Sequence, residues 1–95
     1  MTSKTAQKTG TWRHARNVAW RKVSGEAVIL DVDTAVYYSL NGVGLRMWEL
    51  LGEGRGSDEA AGVLAAEFDA APERIRKDYE DLAKRLRKEG LLSPA

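Results

Sequence analysis

The sequence contains no cysteine, only one histidine and only two prolines among its 95 residues. The lack of cysteine excludes disulfides, thiolate metal sites and a cysteine nucleophile in this chain. No apolar run approaches the roughly 20 residues that span a bilayer, and residues 1–22 lack the apolar core of a secretory signal. We therefore expect a cytoplasmic protein that has no membrane partner.

Charge is distributed unevenly along the chain, although the net charge is only +1. Residues 1–25 hold six of the fifteen lysines and arginines and no acidic residue, which leaves residues 26–95 with nine basic and fourteen acidic residues, a net charge of −5. Because the first eleven residues carry little apolar surface, we predict a disordered basic tail over 1–11 and one domain over 12–95. The tail either solvates the protein or contacts a partner, and the sequence leaves both interpretations open.

The hydrophobic pattern between residues 17 and 40 has the period of two that is typical of strands. We predict strands over 17–23, 26–32 and 35–40, joined by turns at Ser24-Gly25 and Asp33-Thr34. Connections this short indicate an antiparallel meander. The continuous apolar centre of the second strand predicts that both of its faces are covered.

After the third predicted strand the period changes to the 3.6 residues of a helix. We predict helices over 42–52, 57–69 and 72–89. Asn41 and Ser57 are predicted N-caps, Pro72 suits the first turn of the third helix, and Gly90 suits a left-handed residue that ends it. The fold class is therefore α+β, with a three-stranded antiparallel sheet followed by three helices that cover one of its faces.

No constellation of residues supports catalysis. His14 lies in the basic N-terminal region and is expected to be a solvated surface residue. The glycine-rich loop 52–56 follows a helix and lacks the lysine and hydroxyl residue of a phosphate-binding loop. Asp31 and Asp33 share one strand face beside a turn, where turn formation is their expected role. We therefore expect no enzymatic activity, no metal and no cofactor.

The third predicted strand is the first candidate binding surface. The meander places it at an edge of the sheet, where its backbone N–H and C=O groups can receive a further strand. Val36, Tyr38 and Leu40 are predicted to face the core, with Tyr37 and Ser39 on the opposite face. The alternative is that a helix or the tail of this protein covers the edge.

The third predicted helix carries the second candidate surface. Its apolar stripe consists of Ile75, Tyr79, Leu82 and Leu86, and a charged flank beside the stripe consists of Arg74, Asp78, Asp81 and Arg85. This border between core and solvent is where the wall of a groove would lie. The alternative is that the flank forms two i,i+4 ion pairs, Arg74–Asp78 and Asp81–Arg85, that only stabilise the helix.

Segments from both halves of the chain resemble the PqqD-like family. The resemblance rests on Ala27 to Asp31, on Tyr38 to Asn41 followed by Gly44 and Met47 to Leu51, on Pro72 to Leu82, and on Gly90-Leu91-Leu92. It covers about residues 18–92. The order and spacing of these pieces are more specific than any one of them.

The family consists of RiPP recognition elements, which are non-catalytic domains with a winged helix-turn-helix-like fold. They bind the N-terminal leader of a ribosomally synthesised precursor peptide and deliver it to modifying enzymes. The resemblance implies that the leader adds as a strand beside the third strand, in a groove walled by the third helix. It assigns leader contacts to Val36, Tyr37, Tyr38, Ser39, Leu40, Arg74, Ile75, Asp78, Asp81, Leu82 and Arg85. The choice of helix flank is our inference rather than a motif match.

The resemblance implies two possible sets of partners. Standalone members serve lasso-peptide maturation, with a separate cysteine leader protease and an ATP-dependent cyclase, or coenzyme PQQ synthesis, with a radical-SAM enzyme. Leu40-Asn41 and Trp48 to Leu51 are closer to the lasso type, whose leaders commonly carry a Tyr-x-x-Pro element. A winged-helix DNA-binding protein is a further alternative, which the net charge of −5 over residues 26–95 disfavours because a DNA-binding face needs several cationic contacts to phosphates.

Overall fold

The computed structural model describes residues 11–95 of the chain. The elements follow in the order β1 (Trp12–His14), β2 (Val18–Val23), β3 (Glu26–Asp31), β4 (Val36–Asn41), α1 (Val43–Gly52), α2 (Ser57–Phe68), α3 (Pro72–Lys88) and β5 (Leu92–Pro94). The predicted tail lies outside the described residues except for Thr11, which is buried. Within residues 11–95, no helix combines the length and the apolar character needed to cross a membrane.

β2, β3 and β4 form the predicted antiparallel meander, in that spatial order. Trp20 pairs with Ile29 and Ile29 pairs with Tyr38, so these three side chains form a row on the core face of the sheet. Ser24 and Gly25, with φ angles of 50° and 79°, form a tight two-residue turn between β2 and β3. The α+β class is confirmed, and each helix boundary lies within one residue of its prediction. The arrangement is consistent with a winged helix-turn-helix-like domain.

Two predicted helix caps are wrong. Asn41 is the last residue of β4, and the N-cap of α1 is Gly42, whose φ of 55° and ψ of −126° are readily reached only by glycine. Ser57 is already helical, and Gly56 precedes α2 without a side-chain hydrogen bond. In both cases the side chain that looks suited to capping lies one residue away from the capping position.

α3 begins and ends as the sequence predicts. Pro72 lies in its first turn. Gly90 has a φ of 82°, its N–H donates to the Arg87 carbonyl at 3.0 Å, and the Leu91 N–H donates to the Leu86 carbonyl at 2.9 Å. This Schellman motif directs the chain from α3 into β5, which pairs with β1. The β1–β5 pair is not predicted from the sequence, because three-residue strands are too short to show a period.

The core lies between one face of the meander and the three helices. α1 supplies its centre, where Trp48, Leu50 and Leu51 are at most 1% exposed. On the opposite face of the sheet, Val28 and Leu30 are half-buried and line a shallow depression of about 210 Å³. The prediction that both faces of β3 are covered is therefore wrong for the part of the chain that the structure describes.

His14 is not the solvated surface residue that the sequence predicts. Its ring stacks on that of Trp48, with a centroid distance of 3.7 Å and an interplanar angle of 11°, and lies edge-on to Trp20 at 5.9 Å. Its Nε2 donates to the Trp48 carbonyl oxygen at 2.9 Å. A Cβ atom at Gly52 would overlap the imidazole, so glycine at this position allows β1 to pack closely on α1.

Desolvation in this aromatic cluster lowers the pKa of His14 below its ordinary value of 6.5, although the hydrogen bond to the Trp48 carbonyl opposes the shift. The folded imidazole therefore binds a proton less readily than the imidazole of the unfolded chain. As a result, the stability that this cluster provides is complete above the unfolded pKa and is lost as the pH falls from there towards the folded pKa.

We expect the free energy of unfolding to fall more steeply for the wild-type protein than for His14→Phe between about pH 7.5 and about pH 5.5, the range in which histidine titrates. The phenylalanine keeps an aromatic ring on Trp48 but binds no proton, and other titrating groups affect both proteins equally. Urea unfolding across this range measures both curves. Parallel curves would contradict the expectation. A wild-type protein that gains stability on acidification would mean that cation–π attraction to Trp48 outweighs desolvation.

Candidate functional site

β4 is an edge strand. β3 pairs with one side of it, and no strand within residues 11–95 pairs with the other. Tyr37 and Ser39 are exposed on the outer face, as predicted, while Tyr38 and Leu40 are half-buried against the core. Val36 shares their face by register but is 45% exposed, because it lies at the end of the strand. The free side of β4 can therefore pair with an added strand.

α3 has a buried stripe with a half-buried border. Ile75, Tyr79 and Leu86 are at most 5% exposed, and Ala83 joins them in the core. Leu82 is half-buried and packs against the core from its border. Of the two apolar site residues that the sequence predicts on this helix, Leu82 is thus the more accessible, and Ile75 belongs to the core.

The four residues of the charged flank, Arg74, Asp78, Asp81 and Arg85, are all exposed. Arg74 Nε lies 3.4 Å from Asp78 Oδ2, as their spacing predicts. The other i,i+4 pair is not formed, because Asp81 Oδ2 lies 3.0 Å from Lys77 Nζ instead. Within residues 11–95, Arg85 has no ion-pair partner. Its guanidinium is available to a carboxylate of a bound molecule.

The opposite flank of α3 is occupied by the protein itself. Arg76 Nε lies 3.3 Å from Asp58 Oδ1 of α2, and the Arg87 guanidinium lies 5.7 Å from the ring centroid of Trp12 in β1. The charged flank therefore points away from α2 and β1. Since α1 packs on both β4 and α3, one helix supports both parts of the predicted site.

A partly buried hydrogen bond helps to fix the rotation of α3 about its axis. The Tyr79 hydroxyl donates to the Arg55 carbonyl oxygen at 2.7 Å. Desolvation raises the pKa of Tyr79, so the hydroxyl keeps its proton and remains a donor. A rotated α3 would leave this buried hydroxyl without a partner, which costs about 1–3 kcal/mol. Together with the burial of Ile75 and Leu86, this hydrogen bond sets which flank of the helix faces solvent.

Asn17 connects the end of α3 to the turn before β4. Its Nδ2 donates to the Gly90 carbonyl oxygen at 3.3 Å, and its backbone carbonyl accepts from the Val32 N–H at 2.8 Å. The sequence does not single out Asn17, because asparagine is common in turns and Gly90 is 73 residues away.

Asp31 has the turn role that the sequence predicts. Its Oδ1 accepts from the backbone N–H of Asp33 at 3.0 Å and of Thr34 at 3.4 Å. The polar side chain of Asn17, together with these two hydrogen bonds, holds the pKa of Asp31 below its ordinary value of 3.8, against the opposing effect of desolvation. The carboxylate is therefore ionised at neutral pH and orders the turn that leads into β4.

The chemistry of this region is that of a binding surface. It offers the backbone groups of β4, half-buried apolar side chains and the exposed charges of α3. Within residues 11–95, no group of three or more His, Asp and Glu side chains could hold a metal ion. A depression of about 210 Å³ lies on the other flank of α3, beside Trp12 and Lys84. The arrangement is suited to an extended peptide.

Comparison with known proteins relates this arrangement to a family. Residues 26–92 match the family model described as Coenzyme PQQ synthesis protein D (PqqD), and no curated protein matches the sequence at a significant level. TbiB1, solved in complex with the TbiA(β) leader peptide, is 28% identical over 87% of this chain and 96% of that chain, with a TM-score of 0.80. Lasso peptide synthetase B1, complexed with the leader peptide, is 20% identical over 87% of this chain and 98% of that chain, with a TM-score of 0.80, and this likeness concerns the fold alone. Because the family model matches more than half of its residues, the chain belongs to the PqqD family.

Proposed function

We propose that this protein binds the leader segment of a ribosomally synthesised precursor peptide as a strand added to β4, and delivers it to modifying enzymes. The observation that carries the proposal is the similarity, at 28% identity over 87% of the chain, to TbiB1, which was solved with the TbiA(β) leader peptide. The edge of β4 supports it independently, because no strand of residues 11–95 occupies it and an extended peptide can complete its hydrogen bonds.

Affinity and selectivity come from different parts of the site. Backbone hydrogen bonds along β4 are available to any extended peptide, so selectivity depends on the side chains around the added strand. Tyr38, Leu40 and Leu82 offer half-buried apolar surface, which gains about 25 cal/mol for each Å² that a leader side chain covers. An aromatic ring and a proline of the leader are the anchors we expect there.

The eleven residues predicted from the sequence remain our assignment of the leader site. Their roles differ with their exposure. Ile75 is 5% exposed and shapes the site from the core, whereas Asp78 and Arg85 are exposed and can pair with leader groups of opposite charge.

We infer that the protein works in lasso-peptide maturation as a non-catalytic adaptor in the cytoplasm, with a cysteine leader protease and a cyclase on separate chains. The lasso-type character of Leu40-Asn41 and of Trp48 to Leu51 supports this pathway. A peptide chaperone for a radical-SAM enzyme is the alternative, because the matching family model describes a coenzyme PQQ synthesis protein.

The charge of the domain disfavours a DNA-binding role. Residues 26–95 carry a net charge of −5, and three basic residues of α3, Arg74, Arg76 and Lys77, lie within ion-pair distance of acidic side chains. DNA binding depends on several cations that act together against phosphates, and nearby acidic groups reduce the positive potential they provide.

We expect saturable binding, with one peptide per chain and a Kd in about the micromolar range or below, for a synthetic peptide of the leader segment of a candidate precursor. Isothermal titration calorimetry measures the affinity, and a scrambled peptide of the same composition is the control. Equal heats for the leader and the scrambled peptide would contradict the proposal. Binding of duplex DNA in place of the leader would support the DNA-binding alternative.

Charge reversal on the exposed flank of α3 tests the placement of the leader. We expect Asp78→Lys and Arg85→Glu to fold and to lose about 1–3 kcal/mol of leader affinity where a buried charged hydrogen bond is lost. Lys84→Glu, on the other flank, is the matched control and should lose much less. Calorimetric titration of each variant, with circular dichroism to verify folding, compares them. Equal affinities would show that the leader lies elsewhere, and unfolding of the first two variants would show that their side chains are structural.

A further inference from the structure

We propose that Asn17 is a positioning residue of the leader site, whose hydrogen bonds hold the end of α3 and the start of β4 at the separation that a bound leader needs. This inference rests on the proposed function. Asn17 lies in the turn between β1 and β2, outside the eleven residues assigned to the leader. It therefore acts through the elements that it connects.

The first connection is to the end of α3. The Schellman motif uses the N–H groups of Gly90 and Leu91 for bonds within the end of the helix. The Gly90 carbonyl oxygen accepts from Asn17 Nδ2 at 3.3 Å. The adjacent Leu91 carbonyl accepts from the Ala15 N–H at 3.0 Å. The β1–β2 turn is thus attached to the end of α3 by one side-chain and one backbone hydrogen bond.

The second connection is to the turn that begins β4. The Asn17 carbonyl accepts from the Val32 N–H at 2.8 Å, and the Asn17 side chain helps to lower the pKa of Asp31, whose carboxylate accepts from the backbone N–H groups of this turn. Ala35, the residue before β4, has a φ of 63°, a conformation uncommon for a residue with a Cβ atom. Its N–H donates to the Asp31 carbonyl at 2.7 Å. The first residue of β4 is therefore placed by a turn that Asn17 holds.

The separation of β4 and α3 matters because the leader must fill it. An added strand would lie about 4.7–4.9 Å from β4, and its inward side chains would have to meet α3 without gaps or overlap. A small change in the separation costs leader contacts along the whole site and leaves the core intact. Asn17 is the residue within 11–95 whose hydrogen bonds reach both the end of α3 and the β3–β4 turn.

Two variants at this position distinguish the effect of the hydrogen bond that the Asn17 side chain donates from the effect of its volume. Asn17→Ala removes the side chain beyond Cβ, and Asn17→Asp keeps its shape but has no N–H to donate and adds a negative charge beside Asp31. Both retain the backbone bond to Val32. We expect each to raise the Kd of the synthetic leader peptide about tenfold or more. Asn17→Ser keeps a hydroxyl group as one side-chain donor, so it should raise the Kd of the leader peptide less than the other two variants do. If those variants do not fold, Asn17→Ser is compared with the control in their place.

The matched control is Ala66→Gly. Ala66 is exposed on α2 and glycine there lowers stability through helix propensity, by about 1 kcal/mol. All titrations are done at a temperature at which circular dichroism shows every variant folded. A Kd for the Asn17 variants equal to that of Ala66→Gly, or wild-type affinity for Asn17→Asp, would overturn the inference. A wild-type protein that does not bind the leader would overturn the proposed function instead.

Discussion

The structure depends on the burial of Trp48 in α1. Its side chain is fully buried, with the His14 ring stacked on it at 3.7 Å and Trp20 edge-on at 6.0 Å. The indole Nε1 has no hydrogen-bond partner within residues 11–95, a cost of about 1–3 kcal/mol. Loss of a buried aromatic side chain costs about 3–5 kcal/mol, so packing outweighs the unpaired N–H. Around this side chain, α1 contacts β1, β3, β4, α2 and α3.

The candidate site consists of the surfaces that this packing leaves free. α3 uses one flank to meet α2 and β1 and leaves the other exposed, and β4 has no second strand neighbour within residues 11–95. The two edges of the meander are not equivalent. β2 carries Arg21 and Lys22, and charged side chains on an edge oppose strand addition. β4, from Val36 to Asn41, carries no charged residue and so is the edge better suited to an added strand.

The sequence predicts those parts of the fold that rest on local patterns. The meander and the helices follow from their hydrophobic periods, and the end of α3 follows from Gly90. His14 is mispredicted because its environment comes from Trp48, 34 residues away, and from a glycine at position 52 that carries no signal by itself. The β1–β5 pair and the hydrogen bond between Asn17 and Gly90 are not predicted for the same reason, because each joins residues near opposite ends of the chain.

The candidate site also has a part that local patterns predict and a part that depends on distant contacts. Alternation along β4 predicts which side chains face outwards, and helical spacing predicts the exposed flank of α3. Spacing alone does not decide between partners, since Asp81 has Lys77, Lys84 and Arg85 within about one turn and pairs with Lys77. The relative placement of β4 and α3 depends on α1 and on Asn17, which only the tertiary structure reveals.

Amide hydrogen exchange, followed by NMR with and without the leader peptide, tests the central claim most directly, because strand addition protects the backbone of the strand that receives it. The account predicts slower exchange at amides of β4 that face the open edge, and unchanged exchange along β2. Protection of β2 in place of β4, or unchanged β4 amides in a saturated complex, would contradict it.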